Sequence, residues 1–198
     1  SGEFHPDNLP VSDYLTGPVV SRDVVRRGKF LIMVKRRIDQ LRDQAVVDEL
    51  TGVFNRRYLH EQLNIRLGES RRYSTPFSFI LFDIDHFKAI NDTYGHWFGD
   101  AVLKNIAEVV MLQLRKQDIL ARYGGEEFAV MLPYTDFSGA NILAERVRKS
   151  VSESTHTKGE HTAGVTVSLG VASVPKDKLE SVEDLIVCAD SRLYKAKK

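Results

Sequence analysis

The segment 77–85 constrains the fold more than any other part of the 198-residue sequence. Its apolar side chains alternate between two faces, which carry Phe77, Phe79 and Leu81 on one side and Ile80, Phe82 and Ile84 on the other. A strand that is apolar on both faces lies inside a sheet and is covered from both sides. The other elements must therefore be arranged around this central strand.

Helical and strand patterns alternate on either side of it. Helices are predicted over 55–73, 99–115, 138–154 and 181–197, where Ser181 can cap the last one. Further strands are predicted over 119–123, 127–132 and 165–174, the first two joined by the turn Gly124-Gly125. The order strand, helix, two hairpin strands, helix, strand predicts an α+β fold. It is the ferredoxin-like split βαβ arrangement, an antiparallel sheet with helices on one face.

The first 47 residues follow a different pattern. Residues 1–20 are polar and lack an apolar period, which predicts a tail or linker that begins with the tag-like Ser1-Gly2-Glu3-Phe4. A helix is predicted over 21–47, with a heptad seam formed by Val24, Leu31, Val34, Ile38, Leu41 and Ala45. This helix either packs on its own domain or dimerises the chain as a parallel coiled coil. We favour the coiled coil because the remaining faces are strongly charged.

The overall composition limits the binding partners and the cellular compartment that we expect for this protein. The net charge of +1 gives no bulk attraction to nucleic acid or to an anionic membrane, so any phosphate site must be built locally. The single cysteine, Cys188, excludes an internal disulfide and fits a reducing compartment. No apolar run is long enough to span a bilayer, and no signal peptide is visible. We expect a cytoplasmic protein, or the cytoplasmic part of a larger sensor, with no membrane segment in this chain.

Two acidic side chains end the central strand. Asp83 and Asp85 lie on the face of Phe79 and Leu81, where an unpaired buried charge is costly. They either bind a divalent cation or lie at the solvent-exposed end of the strand and cap the next turn. This pair alone does not decide between the two alternatives.

The hairpin turn supplies a second acidic pair. Gly124-Gly125 permits a tight turn and a close approach of a ligand to the backbone, and Glu126 and Glu127 follow at once. If this hairpin pairs beside the central strand, Glu126 and Asp83 can reach one cation, and Mg²⁺ prefers such hard oxygen ligands. The alternative is a hairpin tip that has no role in binding.

Several motifs then occur together and in order. They are Asp48-Glu49-Leu50-Thr51, Asn55-Arg56-Arg57, Phe82-Asp83-Ile84-Asp85-His86-Phe87-Lys88, Asn91-Asp92, Gly95-His96, Gly99-Asp100, Gly124-Gly125-Glu126-Glu127-Phe128, and Ala189-Asp190 with Leu193-Tyr194-Lys195-Ala196-Lys197. From residue 48 to residue 198 the sequence resembles the GGDEF domains, or diguanylate cyclases. The resemblance implies a nucleotidyl cyclase or palm-like fold over 48–198. It also implies the condensation of two GTP molecules into cyclic di-GMP with release of pyrophosphate.

The resemblance also implies roles for individual residues. The catalytic residues would be Asp83, Glu126 and Glu127, and the metal ligands for Mg²⁺ (or Mn²⁺) would be Asp83, Glu126 and the Ile84 carbonyl. Asn91 and Asp100 would read guanine. The remaining GTP contacts would come from Phe87, Lys88, His96, Arg122 and Lys197.

An Arg-x-x-Asp sequence lies just before the hairpin. Arg115 and Asp118 resemble the inhibitory product site that the family has at this place. Arg146 would be a further contact. The alternative is a helix end in which Arg115 interacts with the helix dipole and Asp118 starts the next strand. The spacing to the hairpin favours the product site.

An active cyclase needs two domains facing each other, so we expect a homodimer. We also expect an upstream sensory domain outside this sequence and no nucleic-acid partner. The family's usual Gly-Arg-Asn-like end is missing after Lys198, which we interpret as a truncation. The rival interpretations are a silent domain that binds cyclic di-GMP, a structural dimerisation module, and a cyclase making a mixed adenine–guanine product.

Overall fold

The computed structural model describes residues 21–44, 46–159 and 161–198, and the side chains of residues 24–35, 46–159 and 161–198. The predicted tail 1–20 lies outside these residues. The chain divides into two compact units, Ser1–Ala45 and Val46–Lys198. In the first, helix α1 spans Ser21–Gln44, and Val24 and Leu31 of the predicted seam are exposed. The seam beyond Val34 has no described side chains, so dimerisation through α1 stays a prediction.

The second unit is a sheet with helices packed against it. Its elements are β1 (Phe54–Asn55), α2 (Arg56–Tyr73), β2 (Phe77–Ile84), α3 (Phe87–Tyr94), α4 (His96–Met111), β3 (Ile119–Gly124), β4 (Glu127–Pro133), α5 (Phe137–Glu153), β5 (Thr155–Lys158), β6 (His161–Gly164), β7 (Val167–Val174) and α6 (Val182–Ala196). The strand order is β1-β3-β4-β2-β7, while β5 and β6 form a separate hairpin. All eight residues of β2 are buried. The α+β fold is confirmed, and so is the position of β2 inside the sheet, between β4 and β7.

Helices cover both faces of the sheet, so the prediction of helices on one face was wrong. The even-numbered face of β2, with Ile80 and Phe82, joins a core cluster with α4 and α5. The odd-numbered face, with Phe79 and Leu81, joins a second cluster with α2 and α6. The physical reason is already visible in β2, because two apolar faces each need a covering layer.

The region after β2 also differs from the prediction. A separate helix, α3, precedes α4, and α4 ends at Met111 rather than at residue 115. Gly95 adopts the left-handed φ of 81° and separates the two helices. Because Arg115 lies beyond α4, the dipole at the helix end does not explain its position.

Helix α6 is fixed at its start and at its middle. Ser181 caps it as predicted, since its hydroxyl accepts a hydrogen bond from the Asp184 N–H at 3.0 Å. Further along, a Cβ added to Gly170 of β7 would overlap the backbone of α6 at Ala189 and Leu193. The bare glycine therefore lets α6 lie directly on the sheet, and α6 leads to Lys197.

We expect Gly170→Ala to lower the free energy of unfolding by about 1–3 kcal/mol, because the new methyl group must displace a packed helix backbone. Gly68→Ala in α2 is the control, since nothing lies within 4 Å of a Cβ there. It should stabilise the chain by roughly 0.5–1 kcal/mol through helix propensity. Urea titration of the two variants measures both effects, and equal stability of the two would contradict this packing.

Candidate active site

Asp83 lies at the end of β2, where three strands meet. The register places it opposite Glu127 of β4 and opposite Ser168 of β7. Asp83 is only 9% exposed, and its Oδ1 lies 2.6 Å from Nζ of Lys197. The carboxylate thus satisfies the rule that a buried charge has a charged partner.

The β3–β4 hairpin brings the two glutamates to the same place. The Ile84 N–H donates a hydrogen bond to the Glu126 carbonyl at 3.4 Å, which ties the turn to the end of β2. The register of β3 and β4 shifts between Arg122 and Gly124. A Cβ on Gly124 would lie 2.9 Å from Oε2 of Glu127, so this glycine leaves room for the carboxylate. The predicted meeting of Asp83 with the hairpin glutamates is present in the sheet.

These residues fit a magnesium ion that arrives with its substrate. Within the described ranges, no group of three or more His, Cys, Asp or Glu side chains forms a ready metal cage. Mg²⁺ usually takes one or two carboxylates and completes its shell with water and substrate phosphates. Asp83, Glu126 and the Ile84 carbonyl are hard oxygen donors of that kind. The Lys197 ammonium on Asp83 shows that this carboxylate already attracts a cation.

Asp85 fits the capping alternative. Its two carboxylate oxygens accept hydrogen bonds from the hydroxyls of Thr166 and Ser168 at 2.6 and 2.7 Å. Its backbone N–H also donates to the Thr166 carbonyl at 2.9 Å. Asp85 therefore fastens the start of the β2–α3 turn to the neighbouring chain segment, while Asp83 faces Lys197.

Glu127 has an unfavourable electrostatic environment for an ionised carboxylate. Burial raises its pKa, and the nearby negative charges of Asp83, Asp190 and Glu126 raise it further, whereas Lys197 opposes them. A carboxyl group whose pKa is raised in the folded state favours folding while it is protonated. That contribution is lost as the pH rises through the raised pKa.

We therefore expect Glu127→Gln to raise the thermal midpoint at neutral pH, because the variant removes a poorly solvated negative charge. The gain should shrink as the pH falls through the raised pKa of Glu127, and it should vanish below the ordinary pKa of a glutamate. Thermal melts of both proteins across this range measure the difference. A gain that persists unchanged in acid would contradict this electrostatic explanation.

The two predicted guanine-reading residues lie on neighbouring helices. Asn91 belongs to α3, and Asp100 belongs to the first turns of α4. A Cβ on Gly99 would overlap Oδ1 of Asn91, so the Asn91 side chain packs directly against the residue before Asp100. Asp100 is exposed, and His96 is the first residue of α4. The fold thus brings Asn91 next to the segment that carries Asp100.

The start of α3 is open to an anion. The residue that precedes this helix, His86, has a left-handed φ of 57°, and its side chain makes no capping hydrogen bond. Phe87 is the first helical residue and is buried, while Lys88 is exposed beside it. Backbone N–H groups at an uncapped helix start are suited to phosphate oxygens.

Arg122 has a structural engagement that the sequence did not indicate. Its Nε and Nη2 donate to the Gly125 carbonyl at 3.0 and 2.8 Å, and its Nη1 lies 3.3 Å from Oδ1 of Asp48. Asp48 in turn accepts hydrogen bonds from the backbone N–H and the hydroxyl of Thr51. Arg122 therefore links the Gly124-Gly125 turn to the Asp48–Thr51 segment. The presence of both motifs in the sequence was the only hint that these two segments belong to one site. Its predicted contact with GTP stays a prediction.

Arg115 and Asp118 of the Arg-x-x-Asp sequence line a cavity of about 170 Å³, together with Arg146. The Arg115 N–H donates to Oδ2 of Asp118 at 2.8 Å, whereas Oδ1 of Asp118 is buried without a hydrogen-bond partner in the described structure. Burial raises the pKa of Asp118, although the Arg115 N–H and the charges of Arg115 and Arg146 oppose the rise. The structure thus brings together all three residues predicted for the product site.

None of the described helices is long and apolar enough to cross a membrane.

Comparisons with known proteins agree with this arrangement. A family profile described as "Diguanylate cyclase, GGDEF domain" matches residues 45–198. The response regulator PleD of Caulobacter vibrioides is 39% identical over 198 residues, covering 96% of this chain and 43% of PleD. The probable diguanylate cyclase DgcT of Escherichia coli is 39% identical over 76% of this chain and 33% of its own length. The chain therefore spans less than half the length of these relatives.

Solved structures give the same result. The GGDEF domain of DgcB from Caulobacter crescentus, in complex with c-di-GMP, matches with a TM-score of 0.72 and 33% identity, over 77% of this chain and 87% of that one. Diguanylate cyclase SiaD from Pseudomonas aeruginosa, in complex with its activator SiaC, matches with a TM-score of 0.72 and 34% identity, over 89% of this chain and 70% of that one. The chain belongs to the GGDEF family of diguanylate cyclase domains.

Proposed function

We propose that the chain is a metal-dependent diguanylate cyclase that condenses two GTP molecules into cyclic di-GMP. The observation that carries this proposal is the meeting of Asp83 with the Glu126-Glu127 hairpin at the edge where Lys197 also arrives. Mg²⁺ or Mn²⁺ bound by Asp83, Glu126 and the Ile84 carbonyl would stabilise charge on the reacting phosphate oxygens. Each domain binds one GTP, so two domains face each other as a homodimer.

The reaction is an in-line substitution at phosphorus. The 3′-oxygen of one GTP forms a bond to the α-phosphorus of the other, the bond from that phosphorus to the bridging oxygen breaks, and pyrophosphate leaves. The proton of the 3′-hydroxyl goes to a carboxylate, and Glu127 suits this role because its raised pKa makes it a better proton acceptor than an ordinary glutamate. A second identical step closes the ring.

The positive groups of this chain have defined tasks in that reaction. Lys197 neutralises Asp83 in the described structure. When the substrate and its metal bind, Lys197 would transfer its contact to the triphosphate. Lys88 and the N–H groups at the start of α3, around Phe87, hold phosphate oxygens. Arg122 keeps the Gly124-Gly125 turn in shape by donating to the Gly125 carbonyl. We also assign it a contact with the GTP phosphates.

Product analysis tests the proposal. The chain is incubated with GTP and Mg²⁺, with and without ATP, and the nucleotides are separated chromatographically. We expect cyclic di-GMP and pyrophosphate from GTP alone, and no mixed product when ATP is added. Binding of cyclic di-GMP without turnover would favour the silent-domain alternative. Absence of both turnover and nucleotide binding would favour a structural module.

Base selection provides an independent test. The Asp100 carboxylate can accept hydrogen bonds from N1–H and the exocyclic amine of guanine, which adenine cannot supply in the same pattern. We expect the preference for GTP over ATP to fall about tenfold in Asp100→Ala, since unpaired guanine donors cost roughly 1–3 kcal/mol. Competitive binding of the two nucleotides measures this preference, and its survival in the variant would exclude Asp100 as the discriminating residue.

We further propose that cyclic di-GMP binds at Arg115, Asp118 and Arg146 and inhibits the enzyme. The guanidinium groups can grip a guanine edge or a phosphate in bidentate fashion, and Asp118 has a buried oxygen that lacks a partner in the described structure. The activity would be cytoplasmic and controlled by an upstream sensory domain acting through α1.

A further inference from the structure

The β5–β6 hairpin is attached to the first turn of α4 at one tryptophan. Nζ of Lys158 donates a hydrogen bond to the Trp97 carbonyl at 2.6 Å, and it lies 4.9 Å from the centre of the Trp97 ring. A hydrogen bond from an ammonium group and a cation–π contact are both stronger than neutral contacts of the same kind. One side chain of the hairpin thus holds Trp97 by its backbone and by its ring.

A second hairpin residue reaches across to the other helix. His161 is the cross-strand partner of Lys158, so both side chains come from the same level of the hairpin. Its ring centre lies 5.5 Å from that of Tyr94 in α3, 5.9 Å from Trp97 and 6.3 Å from Phe98 in α4. The hairpin therefore contacts both helices on either side of the α3–α4 junction.

This junction depends on a single glycine. Gly95 has a φ of 81°, its N–H donates to the Asn91 carbonyl at 2.8 Å, and its own carbonyl accepts from the N–H groups of Phe98 and Gly99. Asn91 precedes this glycine and Asp100 follows it. The angle between α3 and α4 consequently sets the separation of the two side chains proposed to read guanine.

We propose that Lys158 and His161 are positioning residues for guanine recognition, because they fix the angle at which Asn91 and Asp100 face one base. The inference rests on the proposed function and extends it to a part of the chain outside the signature motifs. Two hydrogen-bonding groups must be held within fractions of an ångström to act on the same ligand. Loosening the hairpin should therefore reduce selectivity for guanine more than it reduces binding of nucleotides in general.

The test compares Lys158→Met with the unaltered chain and with Lys158→Arg. Trp97 is the only tryptophan in the sequence, so its fluorescence reports on this junction alone. Non-hydrolysable GTP and ATP analogues are titrated with Mg²⁺ and followed by this signal and by calorimetry. We expect the affinity of Lys158→Met for the GTP analogue to fall about fivefold. This is the usual effect of losing one hydrogen bond, here one between guanine and Asn91 or Asp100. Its affinity for the ATP analogue should be unchanged, and Lys158→Arg should restore the preference.

Lys149→Met is the matched control, because Lys149 is an exposed lysine of α5 that pairs with Glu153 of the same helix. A GTP-to-ATP ratio in Lys158→Met equal to that of the unaltered chain would overturn this inference and leave the proposed function intact. Equal loss of both nucleotides with a lowered thermal midpoint would also overturn it, since it would indicate a purely structural role. If the unaltered chain itself does not prefer GTP, the proposed function fails, and this inference fails with it.

Discussion

Replacing Asp83 by Asn should reduce cyclic di-GMP formation about 10³-fold, because a bound metal supplies several kcal/mol of charge stabilisation in phosphoryl transfer. Glu126→Gln should have an effect of similar size. Both variants preserve the shape of the side chain, and the amide introduced by Asp83→Asn keeps an oxygen near Lys197, so the fold should survive. Initial rates with GTP and Mg²⁺, measured beside thermal melts, separate loss of function from loss of structure.

Glu145→Gln is the control for this pair. Glu145 is an exposed carboxylate on α5 that pairs with Arg148 and lies outside the candidate site. Its replacement should leave the rate unchanged. Activity of Asp83→Asn or Glu126→Gln within a small factor of the unaltered chain, with normal melting, would exclude these carboxylates as metal ligands.

Replacing Arg115 by Ala should weaken the binding of cyclic di-GMP about 100-fold and abolish product inhibition while leaving the basal rate intact. The size follows from the cost of removing one partner of a charged, hydrogen-bonded contact, roughly 2–5 kcal/mol. Calorimetric titration of the product gives the affinity, and initial rates with added product give the inhibition. Arg148→Ala, an exposed arginine on the same helix as Arg146, is the control.

Two routes connect this site to catalysis. The product could shift β3, which runs from Ile119 towards Gly124 and the catalytic hairpin. Alternatively, it could bridge Arg115 of one domain to a second domain and hold the two active sites apart. We favour bridging, because a strand shift must work against a packed sheet. Bridging predicts that added product changes the arrangement of the two domains, so the small-angle X-ray scattering profile of the homodimer should change in the unaltered chain but not in Arg115→Ala. Tight product binding by Arg115→Ala would exclude the site altogether.

The sequence was sufficient to predict an element wherever its local pattern is compatible with only one structure. The alternation in residues 77–84 predicted a strand covered on both sides, and all eight residues are buried. Ser181 predicted the start of the last helix through a short-range cap, and the cap is present. The ordered motifs predicted the GGDEF family, which the family profile confirms.

Prediction from the sequence was less reliable for the ends of helices and for short elements. A continuous apolar period carried the predicted helix to residue 115, but α4 ends at Met111, and residues 115–118 close on themselves through the Asp118 carboxylate. The helix α3 was missed, since eight residues give too little period to recognise. The β5–β6 hairpin was missed for a similar reason, because its two strands have four residues each and alternate weakly.

The sequence alone determined which side chains this protein has for its chemistry: a pair of acidic clusters, a glycine turn and an Arg-x-x-Asp sequence. Only the tertiary structure decided which of them meet. Asp83 and Asp85 are chemically identical and two residues apart, yet Lys197 pairs with the first while Thr166 and Ser168 bind the second. The physical reason is that a partner's identity depends on strand register and helix packing, which join residues about 80 to 115 positions apart in the chain. Local periodicity carries no information about such distant pairs.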